Sequence, residues 1–207
     1  MPAGVVLAGG RSTRFGDRDK AVAPLAGTPM IRRVADRLEP AVDALVINCR
    51  PDQRGAIADA LAGYAHPPRF ALDRDPDQGP MAGIGRGLRV VAENTDHEYG
   101  AVVACDMPFV DPAVVSLLAE RAAGHDAAVP EMDDGWYQTT QAVYRAPAMA
   151  DACEGALARG EGKILAPLET LDWVAVPEAD VRAVGDPDTF RNLNTQAEFD
   201  AAASEFD

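Results

Sequence analysis

The sequence predicts an α/β fold, a three-layer αβα sandwich around a mostly parallel sheet. Three observations predict it. Short apolar runs alternate with amphipathic stretches along the chain, the pattern of repeated βα units. Residues 4–8 and 101–104 are almost wholly apolar, as strands buried on both faces are. Loops rich in Gly, Asp and Pro follow the strands, where parallel sheets gather the residues that bind ligands.

Each element has a local reason. Residues 4–8 form the first strand. Over 28–38, Met30, Ile31, Val34 and Leu38 share one helical face, with Thr28 as the expected N-cap and Pro29 in the first turn. Residues 44–49 predict a strand, 54–61 a helix and 69–72 a third strand, followed by a loop over 73–80. Met81, Ile84, Leu88 and Val91 line one face of a helix over 81–91. Strand 101–104 ends at Cys105-Asp106-Met107-Pro108. Pro112 opens a helix reaching residue 122. Residues 127–129 and 140–144 predict strands, 147–158 and 164–171 helices, 173–176 a late strand, and a short helix follows Thr195.

The 207 residues suit one domain spanning 1–207, large enough to bury a core without disulfide or metal staples. Acidic residues number 33 against 19 basic ones, a net charge of -14, while 47% hydrophobic content excludes disorder as the source of that acidity. Only two of the basic residues are lysines, Lys20 and Lys163; seventeen are arginines. This balance excludes a broad basic nucleic-acid face and binding to an anionic membrane surface. No segment is long and apolar enough to span a bilayer, and no signal-peptide pattern opens the chain. Cys49, Cys105 and Cys153 are widely spaced with no C-x-x-C pair, which points to buried packing residues in a cytoplasmic protein. His66, His97 and His125 show no partner pattern and read as surface or loop residues. An acidic surface poor in lysine also suits a halophilic setting, where screening weakens self-repulsion.

Four loops carry chemistry. The first runs Leu7-Ala8-Gly9-Gly10-Arg11-Ser12-Thr13-Arg14-Phe15-Gly16-Asp17-Arg18-Asp19-Lys20. Two glycines let backbone N–H groups face phosphate oxygens, and Arg11, Arg14, Arg18 and Lys20 concentrate positive charge in an acidic chain. The alternative is a surface loop whose arginines pair with nearby aspartates. Gly16 is followed by Asp17 rather than Lys, which excludes a Walker A loop, and the glycine spacing excludes the dinucleotide fingerprint. In the second loop, Gly79-Pro80 is a turn signal opening a helix. In the third, Asp106 follows a buried strand, where a carboxylate is either a magnesium ligand or a turn and N-cap residue. The fourth, Phe190-Arg191-Asn192-Leu193-Asn194-Thr195, precedes the last helix, and Asn194 or Thr195 suits a cap.

The segment from Leu7 to Gly16, then Asp19-Lys20, then Pro24-Leu25-Ala26-Gly27-Thr28-Pro29, resembles nucleotidyltransferases with a Rossmann-like, glycosyltransferase-A-like fold. The similarity is greatest to the molybdenum cofactor guanylyltransferase family; the double glycine and the Asp-Lys pair favour this family over its cytidylyl-transferring relatives. Gly79-Pro80-Met81-Ala82-Gly83-Ile84, Cys105-Asp106-Met107-Pro108-Phe109 and the Asn192/Asn194 loop match family motifs in order, with Met81 in place of Leu and Gln196 in place of Pro.

The resemblance implies transfer of GMP from GTP to Mo-molybdopterin, with release of pyrophosphate. It implies Arg14, Lys20 and Asp106 as catalytic residues and Asp106 as a Mg²⁺ ligand. It implies a nucleotide site of Leu7, Ala8, Gly9, Gly10, Lys20, Asn48, Asp73, Gly79, Pro80 and Asp106. Asn48 also reads as a plain turn residue, and Asp75 is an alternative to Asp73. Asn192 and Asn194 would face the acceptor, or help with metal. Trp136 and Tyr137 would either contact the flat pterin or pack in a hairpin. Cofactor-biosynthesis proteins or target molybdoenzymes are the implied transient partners. Other classes compatible with the motifs are a cobinamide-phosphate guanylyltransferase, a molybdenum cofactor cytidylyltransferase and a non-catalytic nucleotide-binding protein.

Overall fold

The computed structural model describes residues 1–10, 19–73 and 78–206. Its centre is a seven-stranded sheet. The strands are β1 (Ala3–Leu7), β4 (Leu45–Cys49), β5 (Arg69–Leu72), β6 (Tyr99–Ala104), β7 (Ala127–Glu131), β8 (Gln141–Arg145) and β9 (Trp173–Pro177), in the order β5-β4-β1-β6-β8-β7-β9. All neighbours pair in parallel except at β8, which runs antiparallel to both β6 and β7. The helices are α1 (Met30–Leu38), α2 (Arg54–Ala60), α3 (Pro80–Asn94), α4 (Pro112–Ala122), α5 (Ala146–Ala158), α6 (Glu178–Val184) and α7 (Gln196–Ala203).

The strands read as apolar throughout because successive residues enter opposite layers. Val6, Ile47 and Val103 pack with Ile31, Val34, Leu118 and Phe199 from α1, α4 and α7. Val5, Val46 and Val102 pack with Ile84, Leu88, Met149 and Cys153 from α3 and α5. Each layer thus has its own apolar core, and polar chemistry is left to the strand ends. Burying a Val, Leu or Ile side chain contributes about 1.5 to 3 kcal/mol, so both faces contribute strongly to holding the sheet.

Two expected elements differ. Thr28 is not an N-cap and Pro29 does not lie inside the helix. Instead β3 (Thr28–Pro29) pairs with β2 (Pro24–Leu25), and α1 begins at Met30 without a side-chain cap. Arg33 fixes this small hairpin by donating from Nε to the Leu25 carbonyl (2.6 Å) and from Nη2 to the Ala26 carbonyl (2.8 Å). The helix expected over 164–171 is only a 3-10 turn at Ala166–Thr170, with Pro167 in its first turn. α6 was not expected from the pattern; it is short and follows Pro177 directly.

Candidate active site

The parallel register brings several strand ends to one edge. Leu7 lies opposite both Asn48 and Ala104, and Asn48 opposite Ala71. Gly9, Asn48, Asp73 and Asp106 therefore emerge together, at the carboxyl edge where open α/β sheets bind ligands.

Asn48 is 3% exposed. Its Nδ2 donates to the Ala71 carbonyl at 3.0 Å and to Asp73 Oδ1 at 2.7 Å. The other Asp73 oxygen lies against Gly9, where any Cβ would collide with it. A Cβ on Gly83, in the first turn of α3, would lie 2.5 Å from Asn48 Oδ1. Gly9 and Gly83 are thus the residues that let an amide and a carboxylate occupy this corner. Asn48 spends its amide on the protein, aiming Asp73 beside the glycine turn. Gly79 (φ 80°) delivers the chain into α3, with Pro80 in its first turn, as the turn signal predicts.

Lys20 opens a 3-10 turn, Lys20–Val22, capped by Asp19, whose Oδ1 accepts from Ala21 N at 3.0 Å. Its Nζ donates to Asp106 Oδ2 at 3.1 Å; the two side chains are 13% and 27% exposed. Asp106 is held from both sides by backbone. Cys105 N donates to the Leu7 carbonyl (3.0 Å), and Leu193 N donates to the Asp106 carbonyl (2.9 Å). The second bond lays the Asn192–Asn194 stretch beside Asp106. Asn192 is half-buried and Asn194 exposed.

Thr195 is the cap of α7. Its Oγ1 accepts from Glu198 N, and Glu198 Oε2 accepts from Thr195 N at 2.8 Å and Asn194 N at 2.7 Å. The Asn194 and Thr195 N–H donors, helped by the charge of Lys20, hold the Glu198 carboxyl below its usual range.

The structure adds residues that the motifs did not mark. Arg50 Nη1 donates to the carbonyls of Gly9 (3.0 Å) and Gly10 (3.1 Å). Gln53, 3% exposed, donates from Nε2 to the Ala8 carbonyl at 3.0 Å and to Asp19 Oδ2 at 2.8 Å, and its Oε1 accepts from Arg50 N at 2.9 Å. Both follow β4 on the ligand edge, and that position was the available signal.

Arg14, which the motifs place in catalysis, lies outside the described residues, as do Arg11, Arg18 and Asp75. The three cysteines are buried and free. Burial, then Asp73 and Asp19, push the Cys49 thiol up to about 12, and burial and Asp106 push the Cys105 thiol up, which suits packing and not nucleophilic attack. Two histidines have partners after all: His97 Nε2 lies 2.5 Å from Asp43 and His125 Nδ1 lies 3.0 Å from Asp172. Both pairs join distant segments, which explains why no local pattern marks them. Tyr137 packs edge-on against Trp173 at 5.3 Å, whereas Trp136 is 68% exposed. Among the described residues no group of three or more His, Cys, Asp or Glu is arranged to hold a metal ion by itself. No helix among them is long and apolar enough to cross a membrane.

The fold and its carboxyl edge are those of a nucleotidyltransferase. The chain belongs to the MobA-like NTP transferase domain family, whose model matches residues 4–174. It is 45% identical over 199 residues to a Natronomonas pharaonis protein named "Probable molybdenum cofactor guanylyltransferase", covering 96% of this chain and 95% of that one. A Haloferax mediterranei protein of the same name is 39% identical over 202 residues, covering 98% and 93%. A crystal structure of molybdopterin-guanine dinucleotide biosynthesis protein A from Archaeoglobus fulgidus superposes with a TM-score of 0.75 at 29% identity, covering 99% of this chain and 98% of that one.

Proposed function

We propose that this chain, working as one domain over 1–207, transfers GMP from GTP to the phosphate of Mo-molybdopterin. An oxygen of the pterin phosphate bonds to the α-phosphorus of GTP, the bond from that phosphorus to the bridging oxygen breaks, and pyrophosphate leaves. The observation that carries this reading is the Lys20–Asp106 pair at the carboxyl edge where the parallel β1 and β6 end. It supplies opposite charges at one point of the ligand edge. The names borne by the relatives over nearly the whole chain support the guanylyl specificity.

In this reading Leu7, Ala8, Gly9 and Gly10 present backbone to the nucleotide, and Lys20 and Arg14 offset charge on the triphosphate. Asn48 holds Asp73 for the base or ribose, and Gly79-Pro80 shapes the wall where α3 begins. Asn192 and Asn194, laid beside Asp106, line the acceptor side. Transfer of this kind depends on alignment and charge stabilisation rather than a covalent nucleophile.

The donor set fits Mg²⁺. Magnesium takes one or two protein carboxylates and completes its shell with water and substrate phosphate. Asp106 is such a carboxylate, partly open, with Lys20 engaging its Oδ2. Bound there, Mg²⁺ would supply Lewis-acid polarisation of phosphate oxygens. Buried, unpaired cysteines support a cytoplasmic site of action, where the acceptor would come from cofactor-biosynthesis proteins or pass to target molybdoenzymes.

The test is incubation of the purified protein with Mg²⁺, molybdopterin and either GTP or CTP, followed by mass analysis. The guanine dinucleotide is expected. A cytosine dinucleotide overturns the guanylyl assignment, and nucleotide binding without transfer to any acceptor overturns catalysis.

A further inference from the structure

The turn after β4 touches the nucleotide edge at two places that are far apart in sequence. Gln53 binds the Ala8 carbonyl and the Asp19 carboxylate with the same Nε2. Arg50 binds the next two carbonyls, Gly9 and Gly10. Gln53 Oε1 in turn accepts from Arg50 N, so the two residues form one unit. Asp19 then caps the turn that carries Lys20, and Lys20 reaches Asp106. The amide is buried, with both its oxygen and its nitrogen bonded within the protein.

We propose that Gln53 is a positioning residue for transfer. It joins the backbone leaving β1 to Asp19 and so sets Lys20 against Asp106, while Arg50 holds the Gly9 carbonyl and so turns the N–H of the same peptide, that of Gly10, away from itself and toward phosphate. Gln53 touches no reacting atom and acts through Asp19 and Lys20. A glutamine suits this role because a single NH₂ group carries two donors, which here serve a neutral carbonyl and a carboxylate. Glutamate has nearly the same shape but, when ionised, has no donor, and it would face Asp19 with like charge. The inference rests on the nucleotidyltransfer reading for its kinetic consequence, not for its geometry.

The chain's own composition provides the probe. With only two lysines, protein labelled at lysine ¹³Cε gives two signals, Lys20 and the exposed Lys163 as internal reference. In Gln53→Glu and Gln53→Ala the Lys20 signal is expected to move toward that of Lys163, which itself stays fixed. The kcat for GTP-dependent transfer is expected to fall about 100-fold, the loss that follows roughly an ångström of misplacement, with KM changing less than kcat. Gln53→Glu is expected to regain part of its kcat as the pH falls and the new carboxyl gains a proton to donate; Gln53→Ala is not. Melting temperatures identify unfolding, and the isosteric Gln53→Glu serves if the alanine variant fails to fold. An unmoved Lys20 signal in a folded variant overturns the proposal, and so does an unchanged kcat. If the wild-type protein transfers no nucleotide, the functional reading fails while the Lys20 signal still decides the positioning role.

Discussion

Lys20 Nζ lies 3.1 Å from Asp106 Oδ2, although 86 positions separate the two residues. The contact exists because β1 and β6 are adjacent and parallel, so that the chain leaving each reaches the same edge. In the proposed reaction, Lys20→Ala removes the ammonium that would face phosphate, and Asp106→Asn removes the carboxylate that would face a cation. Each is expected to lower kcat about 10²- to 10³-fold, or about 2.7 to 4 kcal/mol of transition-state stabilisation. Both variants should stay folded, because each side chain is partly exposed. Pyrophosphate release and circular dichroism check the two halves of this expectation, and near-normal turnover of Lys20→Ala would count against the proposed site.

Asn48 should be sensitive in a different way. Asn48→Asp places a second carboxylate against Asp73 and removes both donated hydrogen bonds. Leaving buried polar groups unsatisfied costs about 1 to 3 kcal/mol. Denaturant unfolding should show that loss, and KM for GTP should rise because Asp73 is no longer aimed. Gly9→Ala should raise KM as well, since its methyl group would meet Asp73. Unchanged stability of Asn48→Asp would show that the amide does not hold this corner.

The contrast between these residues shows what was legible beforehand. Asp73 and Asp106 follow apolar strands directly and Lys20 stands in the charged loop after β1, so their place at the carboxyl edge was legible from pattern, whereas the roles expected of them came from the family resemblance. Helix 112–122 and strand 69–72 have the limits that the sequence predicts, because Pro112 opens the helix and Pro68 and Asp73 bound the strand. Arg50 and Gln53 were not found, because most of their partners are backbone groups, which leave no mark in a side-chain pattern. Thr28-Pro29 differs because a local strand pairing takes precedence over the cap. Its residue types suit a cap, but pairing with Pro24-Leu25, whose carbonyl and that of Ala26 are held by Arg33 of the following helix, fixes the segment as a hairpin arm. At 164–171 the pattern had helical spacing, but Pro167 and the short span gave only a tight turn.

The cysteines provide a chemical check. Burial raises all three thiols, with Asp73 and Asp19 adding to the effect at Cys49, so thiolate is scarce near neutral pH. The folded protein is expected to resist an aromatic disulfide reagent at pH 8, and three thiols should react once it is unfolded. Rapid labelling of one thiol in the folded state would contradict the packing role.

Glu198 links acid stability to the Asn192–Asn194 region. Hydrogen bonds from Asn194 N and Thr195 N lower its pKa in the folded state. A lowered carboxyl pKa stabilises the fold at pH above the unfolded value, and that contribution is lost as pH falls through the folded value. Wild type should therefore lose melting temperature below the usual glutamate range. Glu198→Gln should be less stable near neutral pH and should show a shallower acid decline. Parallel melting curves for the two proteins across that range would remove Glu198 from the account.

Salt should reveal which side of the charge balance controls stability. The surface carries exposed ion pairs, such as Arg89 with Asp151 and Arg121 with Asp180, and screening weakens them. Such pairs contribute only about 0 to 1 kcal/mol each. Against them stands a net charge of -14, an excess of carboxylates that no pairing within the chain can neutralise. Screening shortens from about 10 Å at 0.1 M salt to about 3 Å at 1 M, so it relieves repulsion spread over the whole surface while ion pairs in direct contact keep part of their attraction. The melting temperature is therefore expected to rise with KCl from low to molar concentration. KCl is the informative salt, because sulfate would also strengthen apolar burial and raise stability whatever the charge. A flat or falling melting temperature in KCl would mean that the ion pairs outweigh the repulsion and that the acidic surface is not an adaptation to high salt.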